Sequence, residues 1–439
     1  MRRQLILVTA LLSIAGPAQA IDLMESFASA LAQDAEFAAD ASAAEAGREL
    51  AVQGRAALMP RVSVSGQYNR VGSSTTVDLP PEVADLISDD ANGDVYGYGI
   101  QLSQPLYRAD LRADGKSLTA QSEISELAFR AARQNLILRV AQAYFDVLSA
   151  QDSLAFAQAQ KASVAEQLAG ARARFDSGRA RITDVAEAQA SFDALVAAEI
   201  AAENELAVAR ARFFSLTGRE GEDPEPLQAS AASRPAEALE IWLARARTES
   251  IEVRVRALEV EIAEAEMRRH RFAGRPQLDL VAKYQESFQD GELSQLAYPD
   301  RSEGTSVGLQ FSMPVFASGA LRSRQRQAVA EHRQAMQLLE ATRRDVSVST
   351  RQAHADVTAG ALRVAALEQS LKSAEISLES GELGQEVGTR TNLDVLTLRQ
   401  QVFDAKRALA DARYGYLLAR LNLSAVTGRL TENELESIH

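Results

Sequence analysis

The sequence predicts a mainly α protein with a small β part. It is a duplicated half-repeat whose long coiled-coil helices form an α-barrel and whose four strands enter a barrel shared between chains. Three observations carry this. Residues 174–218 and 384–428 align without a gap at an offset of 210. Four segments of about ten residues alternate apolar and polar with a period of two. Two proline-free stretches, 109–175 and 318–383, are about 65 residues each, roughly 100 Å as helix at ~1.5 Å per residue.

Taken in order, the chain opens with a secretory signal. Arg2 and Arg3 precede an apolar run over 5–14, and Pro17 and Ala18-Gln19-Ala20 supply a small-residue cleavage site. Residues 1–20 are therefore expected to be removed, leaving a mature start at Ile21. That removes the two arginines and takes the net charge from -13 to -15. No later segment offers ~20 consecutive apolar residues, so no transmembrane helix is expected, but a spanning strand needs only ~10. There is no cysteine, hence no disulfide framework or thiol chemistry. The acidic balance argues against nucleic acid as a partner.

The repeat divides the remainder into a first repeat over 21–217, a linker over 218–236, a second repeat over 237–428 and a tail over 429–439. Gly178 pairs with Gly388, Asp184 with Asp394, and Gly218 with Gly428. A period near 210 is too long for a solenoid and marks a duplicated half. The strands are expected at about 61–71, 95–106, 277–288 and 305–316. In the first, Val62, Val64 and Tyr68 oppose Ser63, Ser65, Gln67 and Asn69. In the second, Tyr96, Tyr98, Ile100 and Leu102 oppose Gly97, Gly99, Gln101 and Ser103. In the third, Leu278, Leu280, Ala282 and Tyr284 oppose Asp279, Lys283 and Gln285. In the fourth, Val307, Leu309 and Phe311 oppose Ser306, Gly308, Gln310 and Ser312.

Pro60, Pro105, Pro276 and Pro314 stand where strand meets helix, as suits a residue that donates to neither ladder nor helix. Four strands cannot close a barrel in lipid, where ~8 is the practical minimum and an open edge leaves backbone groups unpaired. If these strands span a bilayer, several chains must share one barrel, and three chains supply twelve strands.

Shorter helices are expected over 22–57, 182–217, 237–272 and 392–427. In the last, Val395, Leu398, Val402, Ala405, Leu409, Ala412, Tyr416, Ala419 and Leu423 follow alternating steps of three and four, a heptad seam. Leu393, Leu396, Phe403, Ala410 and Leu417 form a second line, as a helix in a wall with neighbours on both sides requires. Gly178 and Gly388 end the long helices as glycines one residue past the cap. The helices alone also fit a periplasmic or surface coiled-coil structural protein; the strands and the signal peptide weigh against it.

No chemistry-bearing constellation is present. His270, His332, His354 and His439 lack metal-ligand spacing, and no H-E-x-x-H, G-x-S-x-G or phosphate-binding loop occurs. No cofactor, metal or catalytic residues are expected, and the protein is not read as an enzyme.

The segment 387–396, VGTRTNLDVL, and 404–414, DAKRALADARY, resemble the TolC family of outer-membrane efflux and type I secretion channels. Ile182-Thr183-Asp184-Val185 with Ala188-Gln189-Ala190 resembles the matching turn of the first half. The resemblance implies a homotrimer with a twelve-stranded barrel in the outer membrane of a Gram-negative bacterium. A helical barrel would stand in the periplasm, with 218–236 and the tail at its equator. It implies a passive duct for small toxic compounds, secreted polypeptides or both. The implied partners are a periplasmic adaptor, an inner-membrane ABC or RND-type transporter, and outer-membrane lipid. It also implies a periplasmic gate in which Arg390 reaches Thr183 and Asp184 and in which Asp394 lines a constriction. This chain departs from the family in having Gln385 where a latching tyrosine is common and Thr397 where a second acid is common.

Overall fold

The computed structural model describes residues 20–74, 90–179, 181–226, 237–291, 300–436 and 438. The expected signal peptide, apart from Ala20, lies outside these residues, as do 227–236 of the linker and the centres of both strand-joining loops. In order, the described elements are α1 (Leu23–Gln33), α2 (Ala35–Ala56), β1 (Arg61–Ser74), β2 (Asp90–Tyr107), α3 (Ala109–Asp176), α4 (Ile182–Thr217), α5 (Leu239–Glu249), α6 (Ile251–Phe272), β3 (Gln277–Gly291), β4 (Asp300–Ser312), α7 (Ala320–Glu386), α8 (Asn392–Val426) and α9 (Asn433–Glu436). They fall into one unit of residues 1–43, 127–254 and 341–439 and another of 44–126 and 255–340.

The smaller unit holds the sheet. Its strands are antiparallel in the order β1-β2-β3-β4, so among the described residues β1 and β4 are edges paired on one side only. The register sets Val64 opposite Ile100, Ile100 opposite Tyr284 and Tyr284 opposite Thr305, so the apolar residues share one face. That face is bare in the single chain, with Val64 76% and Val307 72% exposed. Towards the loop end it carries aromatic rings, among them Tyr96 stacked on Phe288 at 5.1 Å. Glu286 also lies on this face, buried, where Tyr98, Tyr284 and Arg301 satisfy its carboxylate.

Pro60 and Pro276 immediately precede β1 and β3, and Pro314 follows β4 by two residues. Pro105 lies inside β2, opposite Asp279, and the ladder slips between Pro105 and Tyr107. A bulge thus absorbs the proline's missing donor before α3 begins.

The larger unit has a continuous apolar core. Tyr144, Phe145, Phe213 and Leu421 lie at its centre, and the tail adds Leu435 and Ile438. Ile21 is buried there too, bridged in parallel to Pro224; its N–H donates to the Asp223 carbonyl at 3.0 Å. The Tyr144 hydroxyl donates to the Glu225 carbonyl at 2.7 Å, and burial pushes its pKa well up. Between α3 and α8, Tyr414 donates to Asp152 and Ser149 to Asp411, both at 2.7 Å.

Two of the expected short helices are broken. The helix expected over 22–57 divides at Asp34, which is extended and accepts from the Phe37 N–H at 2.6 Å. Arg139 holds the same carboxylate at 2.9 Å, so a tertiary ion pair fixes the new helix start. The helix expected over 237–272 divides at Ser250, which leaves helical geometry at ψ 130° and is buried. Neither residue interrupts the apolar pattern, which is why the sequence reads through both.

Candidate functional site

The site built most clearly by the chain is the pair of turns joining α3 to α4 and α7 to α8. The last turn of a helix leaves carbonyls without intrahelical partners, and a left-handed residue lets following N–H groups fold back on them. At the first turn, Gly178 has φ +71°; its N–H donates to Phe175 at 2.8 Å and that of Arg179 to Arg174 at 2.7 Å. At the second, Gly388 has φ +80°; its N–H donates to Gln385 at 3.1 Å and that of Thr389 to Gly384 at 2.8 Å. A Cβ at either glycine would meet nothing within 4 Å, so the requirement is conformational rather than steric.

The return helices start differently. Thr391 caps α8: its hydroxyl accepts from the Asp394 N–H at 3.1 Å, and the Asp394 carboxylate accepts from the Thr391 N–H at 2.9 Å. The Thr391 hydroxyl also lies 2.9 Å from that carboxylate. The Thr391 N–H, then its hydroxyl, hold Asp394 below the usual carboxylate range, and the Arg390 charge adds to this. At α4 the cap position is Arg181, which has no hydroxyl; its N–H donates to Asp184 at 3.2 Å.

Arg390 is exposed, and among the described residues its guanidinium has no hydrogen bond or ion pair. Its N–H donates to the Gly384 carbonyl at 3.1 Å. The single chain does not bring Arg390 to Thr183 or Asp184, whose carboxylate serves the start of its own helix. The Gln385 carbonyl belongs to the second turn. The Thr397 hydroxyl donates to Leu393 at 2.9 Å, and the residue lines a cavity of about 620 Å³ with Phe156, Leu195, Leu393 and Phe403.

Behind the turns the helices are clamped. Leu168, Ala171 and Ala188 form a small core between α3 and α4. Arg399 of α8 pairs with Glu382 of α7 at 2.6 Å and reaches Ser163 of α3. Sequence reading missed Thr391 and Arg399. The T-x-x-D pattern at 391–394 signals the first; nothing local signals the second, whose partners lie 17 and 236 positions away. No group of three His, Cys, Asp or Glu residues could hold a metal among the described residues.

The outer membrane efflux protein family matches twice, over residues 27–219 and 242–429. The chain belongs to that family. It is 31% identical over 422 residues to outer membrane protein TolC of Vibrio cholerae, covering 95% of this chain and 93% of that one. It is 31% identical over 432 residues to the alkaline protease secretion protein AprF of Pseudomonas aeruginosa, covering 98% and 89%. The fold matches the crystal structure of CusC at a TM-score of 0.77, with 18% identity and 95% of each chain covered. It matches that of VceC from Vibrio cholerae at 0.75, with 16% identity over 92% and 96%. This efflux protein is thus an outer-membrane channel, mainly helical with a small four-stranded sheet, and members of its family are channel proteins rather than enzymes.

Proposed function

We propose that three copies of this channel protein assemble through their sheets into one twelve-stranded barrel, continued by a helical duct in the periplasm. The observation that carries this is a four-stranded antiparallel sheet with an exposed apolar face and two open edges. In lipid the edges must be paired, and four strands cannot close on themselves. A second feature agrees: Val348, Leu362, Ile376 and Leu383 of α7, spaced by fourteen, fourteen and seven, are 56–68% exposed. That is an exposed apolar line at one heptad position, interrupted by Ala355 and Gln369, and suited to a neighbouring copy.

On this reading residues 1–20 are the signal peptide, 21–217 and 237–428 the two repeats, and 218–236 with 429–439 belong to the equator. The duct is passive and has no catalytic function. A periplasmic adaptor links it to an inner-membrane ABC or RND-type transporter, which supplies the energy to move small toxic compounds or polypeptides. The turns at Gly178 and Gly388 form the periplasmic tip. Arg390 of one copy reaches Thr183 and Asp184 of the next to hold the tip closed, and Asp394 lines the constriction. Mass measurement and crosslinking in detergent test the assembly. Three chains per particle are expected, and a stable monomer with a closed barrel would refute it.

A further inference from the structure

The polar face of the sheet carries an unexpected charge pattern. Lys283 stands at its centre in the cross-strand row Ser63–Gln101–Lys283–Ser306. It is exposed, and among the described residues its ammonium has neither an ion pair nor a hydrogen-bond partner. Arg61, on the same face in the row of Ser103, Val281 and Gly308, is likewise exposed and unpaired among them. Two carboxylates share this face within the strands, at its two ends. Asp279 is 17% exposed and paired with Arg108 at 3.4 Å, and Asp300 lies opposite Gln289 at the loop end. Between these rows the face is otherwise Ser, Gln, Asn, Val and Gly. In the rows flanking the lysine, Gly99, Gly304 and Gly308 carry no side chain. In a chain with a net charge of -13, a stretch of about ten residues on one face with two unpaired cations and no carboxylate is a local reversal of sign.

We infer that Lys283 and Arg61, repeated in each copy, form a cationic band inside the barrel that attracts carboxylate and phosphate groups on passing cargo. This rests on the shared-barrel reading, in which the apolar face meets lipid and the polar face therefore lines the lumen. Rings of like charge in a narrow passage with low-dielectric walls focus the field and set which ions accumulate there. The geometry suits this role. A lysine ammonium is a compact mobile charge on a flexible stem, able to follow a moving anion rather than fix it. The surrounding Ser and Gln side chains offer weak secondary contacts that do not compete with it.

The chain has no cysteine, so single cysteines report cleanly. Ser306→Cys, beside Lys283, and Val307→Cys, on the opposite face, are placed in the intact trimer in lipid bilayers. Each is treated with anionic and cationic methanethiosulfonate reagents of similar size. Ser306→Cys is expected to react about tenfold faster with the anionic reagent. Adding Lys283→Glu should reverse that preference, and Lys283→Arg should retain it. Tripolyphosphate added from the loop side should block conductance through the parent channel and act about tenfold more weakly on Lys283→Glu. Equal reactivity toward both reagents at Ser306→Cys, unchanged by Lys283→Glu, would overturn the cationic band and leave the barrel standing. Reaction at Val307→Cys as fast as at Ser306→Cys would overturn the assignment of faces, and the band with it.

Discussion

The turn at Gly178 and the turn at Gly388 close their helices with the same pair of backbone hydrogen bonds, yet they open the next helix by different means. The second has a threonine cap locked to Asp394 and extra bonds from Arg390 N–H and the Thr389 hydroxyl to the Gly384 carbonyl. The first has Arg181, whose side chain caps nothing; its N–H donates to the Asp184 carboxylate and its carbonyl accepts from the Asp184 N–H, and the Ser177 hydroxyl adds one bond to the Arg174 carbonyl. A duplicated chain keeps what the backbone demands, because an L residue is strained at φ near +75°, while side-chain caps are free to diverge. The second turn alone has a side-chain cap on its return helix, and it presents the arginine of the proposed gate, whose guanidinium is unpartnered among the described residues.

The largest expected effect follows from that arginine. An exposed ion pair is worth ~0–1 kcal/mol, so three symmetric copies would bias the closed tip by up to about 3 kcal/mol. Arg390→Ser should therefore raise single-channel conductance in planar bilayers with trimers intact, while Arg181→Ser at the other turn should not. Equal conductance in Arg390→Ser and the parent would remove the gate from the second turn.

Next in size are the glycines. Gly178→Ala and Gly388→Ala should each destabilise the local turn by about 1 kcal/mol through strain alone, since neither Cβ meets a neighbour. Hydrogen exchange at residues 179 and 389 would read this. Costs differing by more than about 1 kcal/mol would break the equivalence of the two backbones.

The caps should separate the turns. Thr391→Ala is expected to cost about 1 kcal/mol at the start of α8, whereas Arg181→Ala should change α4 by less than about 0.5 kcal/mol. Arg181→Thr should slow exchange at the start of α4; if it does not, the difference lies in packing rather than capping.

The smallest effect is acid sensitivity. Asp394 titrates below its ordinary value because the folded cap favours its charged form. Its contribution is present above the unfolded value of ~4 and is lost as pH falls through the folded one. The protection factor at the start of α8, that is exchange relative to the intrinsic rate at each pH, should fall on acidification below about pH 4, and Asp394→Asn should flatten that response.

What the sequence determined by itself was local or periodic. The period-two strands, the heptad seam on α8 and the glycines past the helix ends follow from constraints acting within a few residues, and the repeat is read by aligning the chain with itself at an offset of 210. Family membership was equally legible, because the tip motifs at 182–190 and 387–396 are contiguous. Tertiary structure decided what depends on distant partners. Asp34 ends a helix because Arg139, 105 positions away, holds its carboxylate. Arg399 braces α7 and α3 because packing brings Glu382 and Ser163 beneath it. Lys283 stands unpaired among the described residues because strand register sets Gln101 and Ser306 beside it rather than a carboxylate. A lysine in an alternating strand reads as one more polar residue; the register, fixed by burying or baring a whole face at once, decides whether its charge is cancelled.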